Sequence, residues 1–380
     1  MSRIEQLIAE LCPDGVEYKE IESLINDKSI LTITPPSKLT KSLYKSVGTF
    51  PIIDQGKDFI VGYTNDKEKT ITEGFYIVFG DHTEAIKYVD FTFAQGADGI
   101  KILKTDNERI IAKYLYYSLN NFYIKTGKYT RHFSFLRKTS IPIPPLPIQQ
   151  EIVRILDTFT DLDAELQAEL EARKKQYEHY RNQLLNFEGK EVEWKTLGEV
   201  CKFSQGIQIG LNKQTTEYQE GKLRFIRIID FTQGNQVPRY VDINDRRYLV
   251  EEDDISMVRY GEAGFVCTGL RGILANNLFK ITPLMEGLNK RFLYHALKSS
   301  IVQTPIKNSI KQGSLPAISF NIFKFISIPT PPLPEQERIV SMLDKFEALV
   351  NEELPAEISA RRKQYEHYRE KLLTFEPPVS

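Results

Sequence analysis

Two distant stretches of this chain repeat one another. Residues 141–187, IPIPPLPIQQEIVRILDTFTDLDAELQAELEARKKQYEHYRNQLLNF, are echoed by residues 328–375, IPTPPLPEQERIVSMLDKFEALVNEELPAEISARRKQYEHYREKLLTF. PPLP opens both copies, and KQYEHYR recurs unchanged at 175–181 and 363–369. Internal repetition on this scale obliges the chain to build the same unit twice. Fainter echoes carry it upstream: VEYK at 16–19 against VEWK at 192–195, and KYLYYSL at 113–119 against RFLYHAL at 291–297. The chain therefore divides into halves 1–187 and 188–380, each a diverged globular segment, a proline hinge and a helix.

The first repeated stretch steps by three and four through Ile152, Ile155, Phe159, Leu162, Leu166, Glu169, Arg173, Tyr177, Tyr180 and Leu184. The second does so through Ile339, Met342, Phe346, Leu349, Leu354, Glu357, Arg361, Tyr365, Tyr368 and Leu372. Both describe a heptad seam with two charged interruptions. A helix of ~40 residues spans roughly 60 Å and needs a partner. Antiparallel packing of the two copies would oppose Glu169 to Arg361 and Arg173 to Glu357, whereas parallel packing would oppose like charges. The alternative is that these four residues sit in water at the seam's edge. The second seam carries an extra residue and Pro355, which predict a kink or break.

At 380 residues, 41% apolar and 27% charged, the chain is globular in composition and long enough for about two domains. No window reaches the ~18 apolar residues of a membrane span, residues 1–11 read as a short amphipathic helix, and a cytoplasmic protein is expected. Cys12, Cys201 and Cys267 are too few and too scattered for a disulfide framework or structural zinc, and are expected to be buried or inert. The net charge of -1 gives no global sign of nucleic-acid binding, so any such sign must be local.

Between residues 20–140 and 196–330, β-like runs such as FPIID, ITEGFYIVFGD, GIKIL, KLRFIRIIDF, DDISMVRY and ANNLFKIT alternate with Gly and Asn/Asp turns, predicting compact sheets with helices near 107–121 and 288–299. From Arg109 to Lys138 there are seven Lys or Arg and no acid; from Gly287 to Pro334 there are six and no acid. Either stretch alone reads as a solvated loop. Paired at matched positions, basic and aromatic, they are what a phosphate-tracking surface requires. The candidate DNA contacts are Lys125, Lys128, Thr130, Arg131 and His132 in the first half, and Lys307, Lys311, Gln312 and Ser314 in the second.

Catalytic signatures are missing. The chain has no GxxxxGK[ST], HExxH or GxSxG, and its glycine-rich segments at 96–99 and 261–264 read as turns. The PP pairs are followed by leucine, unlike the [DNS]PP[YF] turn of adenine methyltransferases. Pro13 and Asp14 with Glu17 and Lys19 are too closely spaced for a PD-(D/E)xK nuclease. His179 and His367 lie on the helices without further ligands nearby, and His82 sits in the polar turn FGDHTEA. No metal or cofactor is expected on this chain.

PPLPxQ opening a long helix twice, the repeated RKKQYEHYR and RRKQYEHYR, and segments such as PIIDQGKDFIVGYTND, FGDHTEAIKYVDF and RYGEAG resemble the specificity subunits of type I restriction-modification systems over essentially the whole chain. The resemblance implies a mixed α/β (α+β) fold with two target-recognition domains, 1–146 and 188–333, separated by two long antiparallel helices, 147–187 and 334–380, forming a coiled-coil spacer. It implies a non-catalytic role in reading a bipartite asymmetric site in double-stranded DNA. The partners it implies are two modification subunits that use S-adenosylmethionine and restriction subunits that use ATP and Mg. Seam residues Ile152, Phe159, Glu169, Arg173, Tyr177, Tyr180, Phe346, Glu357, Arg361, Tyr365 and Tyr368 would form the spacer. Two other readings stand beside it: the specificity module of another defence methylation system, and a structural coiled-coil adaptor without sequence preference.

Overall fold

A computed structural model describes residues 2–96, 98–233, 236–243, 245–311 and 317–378, with the side chain of Lys311 outside that set. The chain forms two compact units. The first takes residues 1–167 and 357–380, and the second takes 168–356. Each unit thus contains one globular segment together with part of both long helices.

The globular part is built the same way in both units. In the first, a four-stranded antiparallel sheet runs in the order Ile30–Ile33, Ile100–Thr105, Tyr76–Gly80, Ile86–Val89. A second sheet runs Gly62–Thr64, Phe50–Ile53, Phe93–Gln95, Thr70–Ile71, with its central pair parallel. In the second unit the orders are Cys201–Gln205, Leu278–Pro283, Ile255–Val258, Val266–Cys267 and Arg239–Val241, Leu223–Ile226, Gly272–Leu274, Leu249–Val250, again with one parallel central pair. The VEYK and VEWK echoes mark strands Tyr18–Glu20 and Trp194–Thr196, which pair with the serine-isoleucine-proline strands Ser140–Pro142 and Ser327–Pro329 just before each proline hinge. Alternation is clearest at Ile86–Val89, where Lys87 and Val89 are buried and Ile86 and Tyr88 half-buried, whereas Ile100–Thr105 buries both faces, Ile100 and Ile102 in one cluster and Leu103 in another. Ile77, Phe79, Leu103, Tyr114 and Leu115 are fully buried in the core of the first unit.

The two KYLYYSL-type echoes are the helices Ala112–Phe122 and Lys290–Lys298, both shorter than the windows predicted from sequence; the first starts after Ile111, whose amide goes to Gln149, and the second starts at a side-chain cap. The Asn289 side chain accepts from the amides of Arg291 and Phe292. At the chain's beginning, Ser2 and Glu5 form a reciprocal capping box on the helix Arg3–Leu11.

Each proline hinge launches a long helix at the leucine of PPLP, Leu146 and Leu333, where the missing N–H of the next proline costs nothing in a first turn. The glutamine two residues further on explains the rest of the motif. Gln149 is fully buried; its Oε1 accepts from the Ile111 amide, and its Nε2 donates to the carbonyls of Arg109 and Pro144. Gln336, also buried, accepts from the Asn289 amide and donates to the carbonyls of Gly287 and Pro331. One buried amide thereby ties the hinge to the start of the neighbouring helix in each unit.

The first long helix runs unbroken over 39 residues, Leu146–Leu184. The second is Leu333–Ala348, a π-turn at Leu349–Glu353, then Leu354–Leu373. The kink or break expected at Pro355 takes the form of this π-turn directly before it, which takes up the extra residue and lets the step of five from Leu349 to Leu354 do the work of a step of four.

Within the first unit the two helical segments run antiparallel, since Phe159 meets Tyr365 and Tyr368 while Asp163, further along, pairs with Arg362. Phe159 stacks on Tyr368 with centroids 5.5 Å apart, and in the second unit the equivalent residues Phe346 and Tyr180 stack at 5.4 Å, both pairs at 26°. Ile152 and Tyr177 are buried, as the seam reading requires.

In the middle of the seam the charges stand as the second of the two readings had them, at its edge in water. Glu169 and Glu357 are exposed and pair along their own helices, Glu169 with Arg173 at 2.7 Å and Glu357 with Arg361 at 3.6 Å. Burial falls instead on Leu170 and Ile358. A straight α-helix drifts ~20° per heptad from a strict seven-residue repeat, so a seam extrapolated over several turns slips by one position.

Gly15, with φ +96°, is one place where glycine is obligatory: a Cβ there would lie 2.6 Å from the Pro377 carbonyl. The close approach lets Val16 N bond Glu376 O and Tyr18 bond Phe375, seating the end of the chain on its beginning.

Candidate nucleic-acid interface

In the first unit, the basic stretch sorts itself by partner. Arg109 pairs with Asp27, Lys113 with Asp157 and Arg137 with Glu22, so these cations hold the fold together. Lys125, Lys128 and Arg131 are exposed on the loop 124–131, and none of them forms an ion pair among the described residues. Thr130 is exposed between them. Ile124 and Tyr129 are 86% and 87% exposed, so the loop contributes no apolar anchor of its own.

What shapes the loop lies beneath it, in the turn after strand Tyr76–Gly80. Glu84 is buried; its Oε1 accepts from the Tyr123 hydroxyl at 2.9 Å and the Thr126 amide at 2.8 Å, and its Oε2 accepts from the Gly127 amide at 2.8 Å. Burial pushes the Glu84 carboxyl up, but the two amides, the tyrosine and His132 outweigh it and hold it below the usual range. Asp81 accepts from the amides of His132 and Phe133, starting the short helix Phe133–Arg137. The His82 ring stacks on Tyr129 at 5.1 Å and its Nδ1 lies 3.1 Å from the Thr130 carbonyl.

His132, a candidate DNA contact on sequence, is fully buried. Its Nε2 lies 2.7 Å from the Lys128 carbonyl and its Nδ1 3.2 Å from Glu84. A ring enclosed in this way cannot reach DNA, and its place between two loop anchors gives it a supporting role instead.

In the second unit, Lys290, Arg291 and Lys298 are likewise spent on Asp253, Asp254, Asp344 and Glu347. Lys307 is exposed on the helix Ser300–Lys311 without an ion pair among the described residues. That helix follows Lys290–Lys298 as the loop 124–131 follows Ala112–Phe122. Lys311 ends it, with its side chain outside the described residues, and Gln312 and Ser314 lie outside them altogether.

The grouping of metal-type ligands found among the described residues is His295, Asp344 and Glu347. Its carboxylates are already engaged: Asp344 by Arg291 and His295, Glu347 by Arg291, Lys298 and the Tyr294 hydroxyl. Such an arrangement is an ionic lock between two helices. The three cysteines are free thiols, and burial pushes Cys201 up to about 12 and Cys267 further, which makes both inert. No helix among the described residues is long and apolar enough to cross a membrane.

Two duplicated α/β segments, each followed by a long helix, define an internally repeated α/β protein. The family model described as the type I restriction modification DNA specificity domain matches residues 16–172 and again 189–360, and the chain belongs to that family. It is 36% identical to the Escherichia coli type I restriction enzyme EcoR124I/EcoR124II specificity subunit, an alignment covering all of this chain and 98% of that one. It is 29% identical to a putative type I restriction enzyme specificity subunit of Haemophilus influenzae, over 95% and 96% of the two chains. The fold is shared with the S subunit of a type I restriction-modification system from M. genitalium, at TM-score 0.58 and 18% identity over 96% and 97% of the chains.

The sequence reading missed the supports: Asp81 and Glu84 in FGDHTEA, and the glutamine of PPLPxQ. The glutamine did have a signal, since it recurs in both copies of the motif.

Proposed function

We propose that this chain is the non-catalytic, sequence-selecting subunit of a type I restriction-modification complex, in which the globular part of each unit reads one half of a bipartite, asymmetric DNA site. The observation that carries the reading is the sorting of cations. At equivalent places after equivalent helices, Lys125, Lys128 and Arg131 in one unit and Lys307 in the other have no ion pair among the described residues, whereas Arg109, Lys113 and Arg137 in the first stretch and Lys290, Arg291 and Lys298 in the second are consumed by the fold; Lys138 and Lys324, nearer the hinges, are exposed and likewise unpaired among the described residues. Free Lys and Arg supply phosphate contacts, and adjacent polar and aromatic groups such as Thr130 and Tyr129 supply base contacts. The two segments differ in sequence, so the two half-sites differ.

The helices would set the gap between half-sites and dock two copies of a modification subunit. Support comes from KQYEHYR, whose exposed positions Lys175, Glu178 and His179 recur as exposed Lys363, Glu366 and His367. Folding imposes little on exposed side chains, so their identity in two otherwise diverged halves fits one partner bound twice. S-adenosylmethionine would be bound by those modification subunits, and ATP and Mg by restriction subunits.

The test is co-expression with the modification subunit in a host free of adenine methylation, followed by genome-wide mapping of the methylated base. A single asymmetric bipartite motif is expected. Methylation without sequence preference, or a stable complex lacking any, would favour an adaptor.

A further inference from the structure

We infer that Glu84 and His132, neither able to touch DNA, are positioning residues that set the base preference of one half-site by fixing the loop 124–131 from below. The inference rests on the DNA-reading role proposed for that loop.

A buried carboxylate costs several kcal/mol unless its oxygens are bonded. Glu84 adds a second cost, since its φ of +57° is unfavourable for a side chain of this kind. The φ belongs to the turn between strands Tyr76–Gly80 and Ile86–Val89, which the Glu84 amide closes on the Gly80 carbonyl, but that turn has no use for the carboxylate. What the carboxylate secures is outside the turn: Glu84 bonds the amides of Thr126 and Gly127, and the Tyr123 hydroxyl at the end of the preceding helix.

His132 faces the same carboxylate and reaches back to the Lys128 carbonyl, while His82 takes the Thr130 carbonyl. Three side chains thereby hold the backbone at residues 126, 127, 128 and 130, with Lys125, Lys128 and Arg131 projecting from it. Base readout depends on donor and acceptor placement to a fraction of an ångström. Loosening the supports should therefore cost discrimination before it costs phosphate attraction.

Among the described residues, the second unit shows no such device in the corresponding place. There the segment is a helix packed through the buried Val302 and Ile306 and tied by Gln303 to the carbonyls of Gly264 and Leu297. The effect is thus confined to one half-site.

The experiment uses the full chain in complex with its modification subunit and measures binding to DNA duplexes altered in one half-site or the other. Glu84→Gln keeps the shape but turns a donor toward the Gly127 amide. It is expected to lower discrimination in one half-site tenfold or more and to leave the other unchanged. His82→Ala, at the rim of the core, removes the Thr130 anchor without opening a cavity and should give the same one-sided loss if Glu84→Gln does not fold. A double Tyr129→Ala, Thr130→Ala variant, which removes the side chains assigned to base contacts, is the control. If that control relaxes one half-site while Glu84→Gln and His82→Ala discriminate as the parent does, the positioning role is wrong and the reading of the loop stands. If the control too changes nothing, the reading of the loop is wrong. Equal loss in both half-sites would overturn the positioning role as well.

Discussion

The buried His295 ring sits 2.7 Å from the Asp344 carboxylate through Nε2, with the Tyr177 hydroxyl 3.3 Å from its Nδ1. A neutral imidazole satisfies both contacts, donating to the carboxylate and accepting from the hydroxyl. Burial pushes His295 down to about 4 despite the nearby carboxylates. The equivalent position in the first unit is Tyr117, whose hydroxyl donates to Asp157 at 2.6 Å. The two units thus close the same helix contact with a titrating group in one and a non-titrating group in the other.

Acid should therefore loosen the second unit first. Between about 6.5 and about 4 the unfolded chain binds a proton at His295 that the folded chain refuses, so stability falls as pH drops through that window, by at most roughly 3 kcal/mol. Glu347 extends the effect. Burial pushes it up, but Lys298, Tyr294 and Arg291 outweigh burial and bring it down to about 2, so its contribution is lost as pH falls below the usual carboxylate range. Hydrogen-exchange protection of Lys290–Lys298 should drop from pH 7.5 to 5 while that of Ala112–Phe122 holds. His295→Gln, which keeps a donor but cannot titrate, should abolish the difference.

The motif glutamines make a second prediction. Gln149→Ala or Gln336→Ala strands one buried amide and two carbonyls, each worth about 1 kcal/mol or more. Either variant should lose about 2–4 kcal/mol, read as an earlier thermal or urea transition, whereas Gln150→Ala, next in sequence and exposed, should change little.

Much of this architecture was legible in the sequence because a repeat reports itself. The two long helices and their proline starts follow from spacing and recurrence. Runs such as ITEGFYIVFGD and GIKIL became strands Tyr76–Gly80 and Ile100–Thr105 for the ordinary reason that their apolar residues fill a sheet. What escaped was set by contacts between residues remote in sequence. Nothing in His132 itself distinguishes a surface contact from a buried prop; the difference is made by Glu84, 48 positions earlier. Likewise, counting Lys and Arg could not separate Lys113, held by Asp157, from Lys128, whose side chain has no ion pair among the described residues.

The π-turn yields a third prediction. Asn351, Glu352 and Glu353 are exposed within it, so deleting Asn351 together with Pro355→Ala, which keeps a proline ring out of the resulting helix interior, removes the surplus residue and leaves a plain α-helix with the same faces inward. Thermal stability should stay within ~1 kcal/mol of the parent, or rise. Deleting Gln167 from the uninterrupted first helix instead rotates everything beyond it by about 100° relative to the residues before. That variant should lose several kcal/mol and much of its complex formation.

The free cations give the last prediction through salt. Each phosphate contact contributes about -0.9 to the slope of log K against log salt for duplex DNA. Replacing Lys125, Lys128 and Arg131 together with alanine should therefore flatten that slope by up to ~2.7, and Lys307→Ala by up to ~0.9, on any duplex, specific or not. Lys113→Ala is the contrasting case. Its charge is spent on Asp157, so the slope should hold while stability falls as the helix contact is lost. A slope unchanged in the triple variant would mean that these residues face water in the bound state, and the recognition surface would have to be sought elsewhere on the same unit.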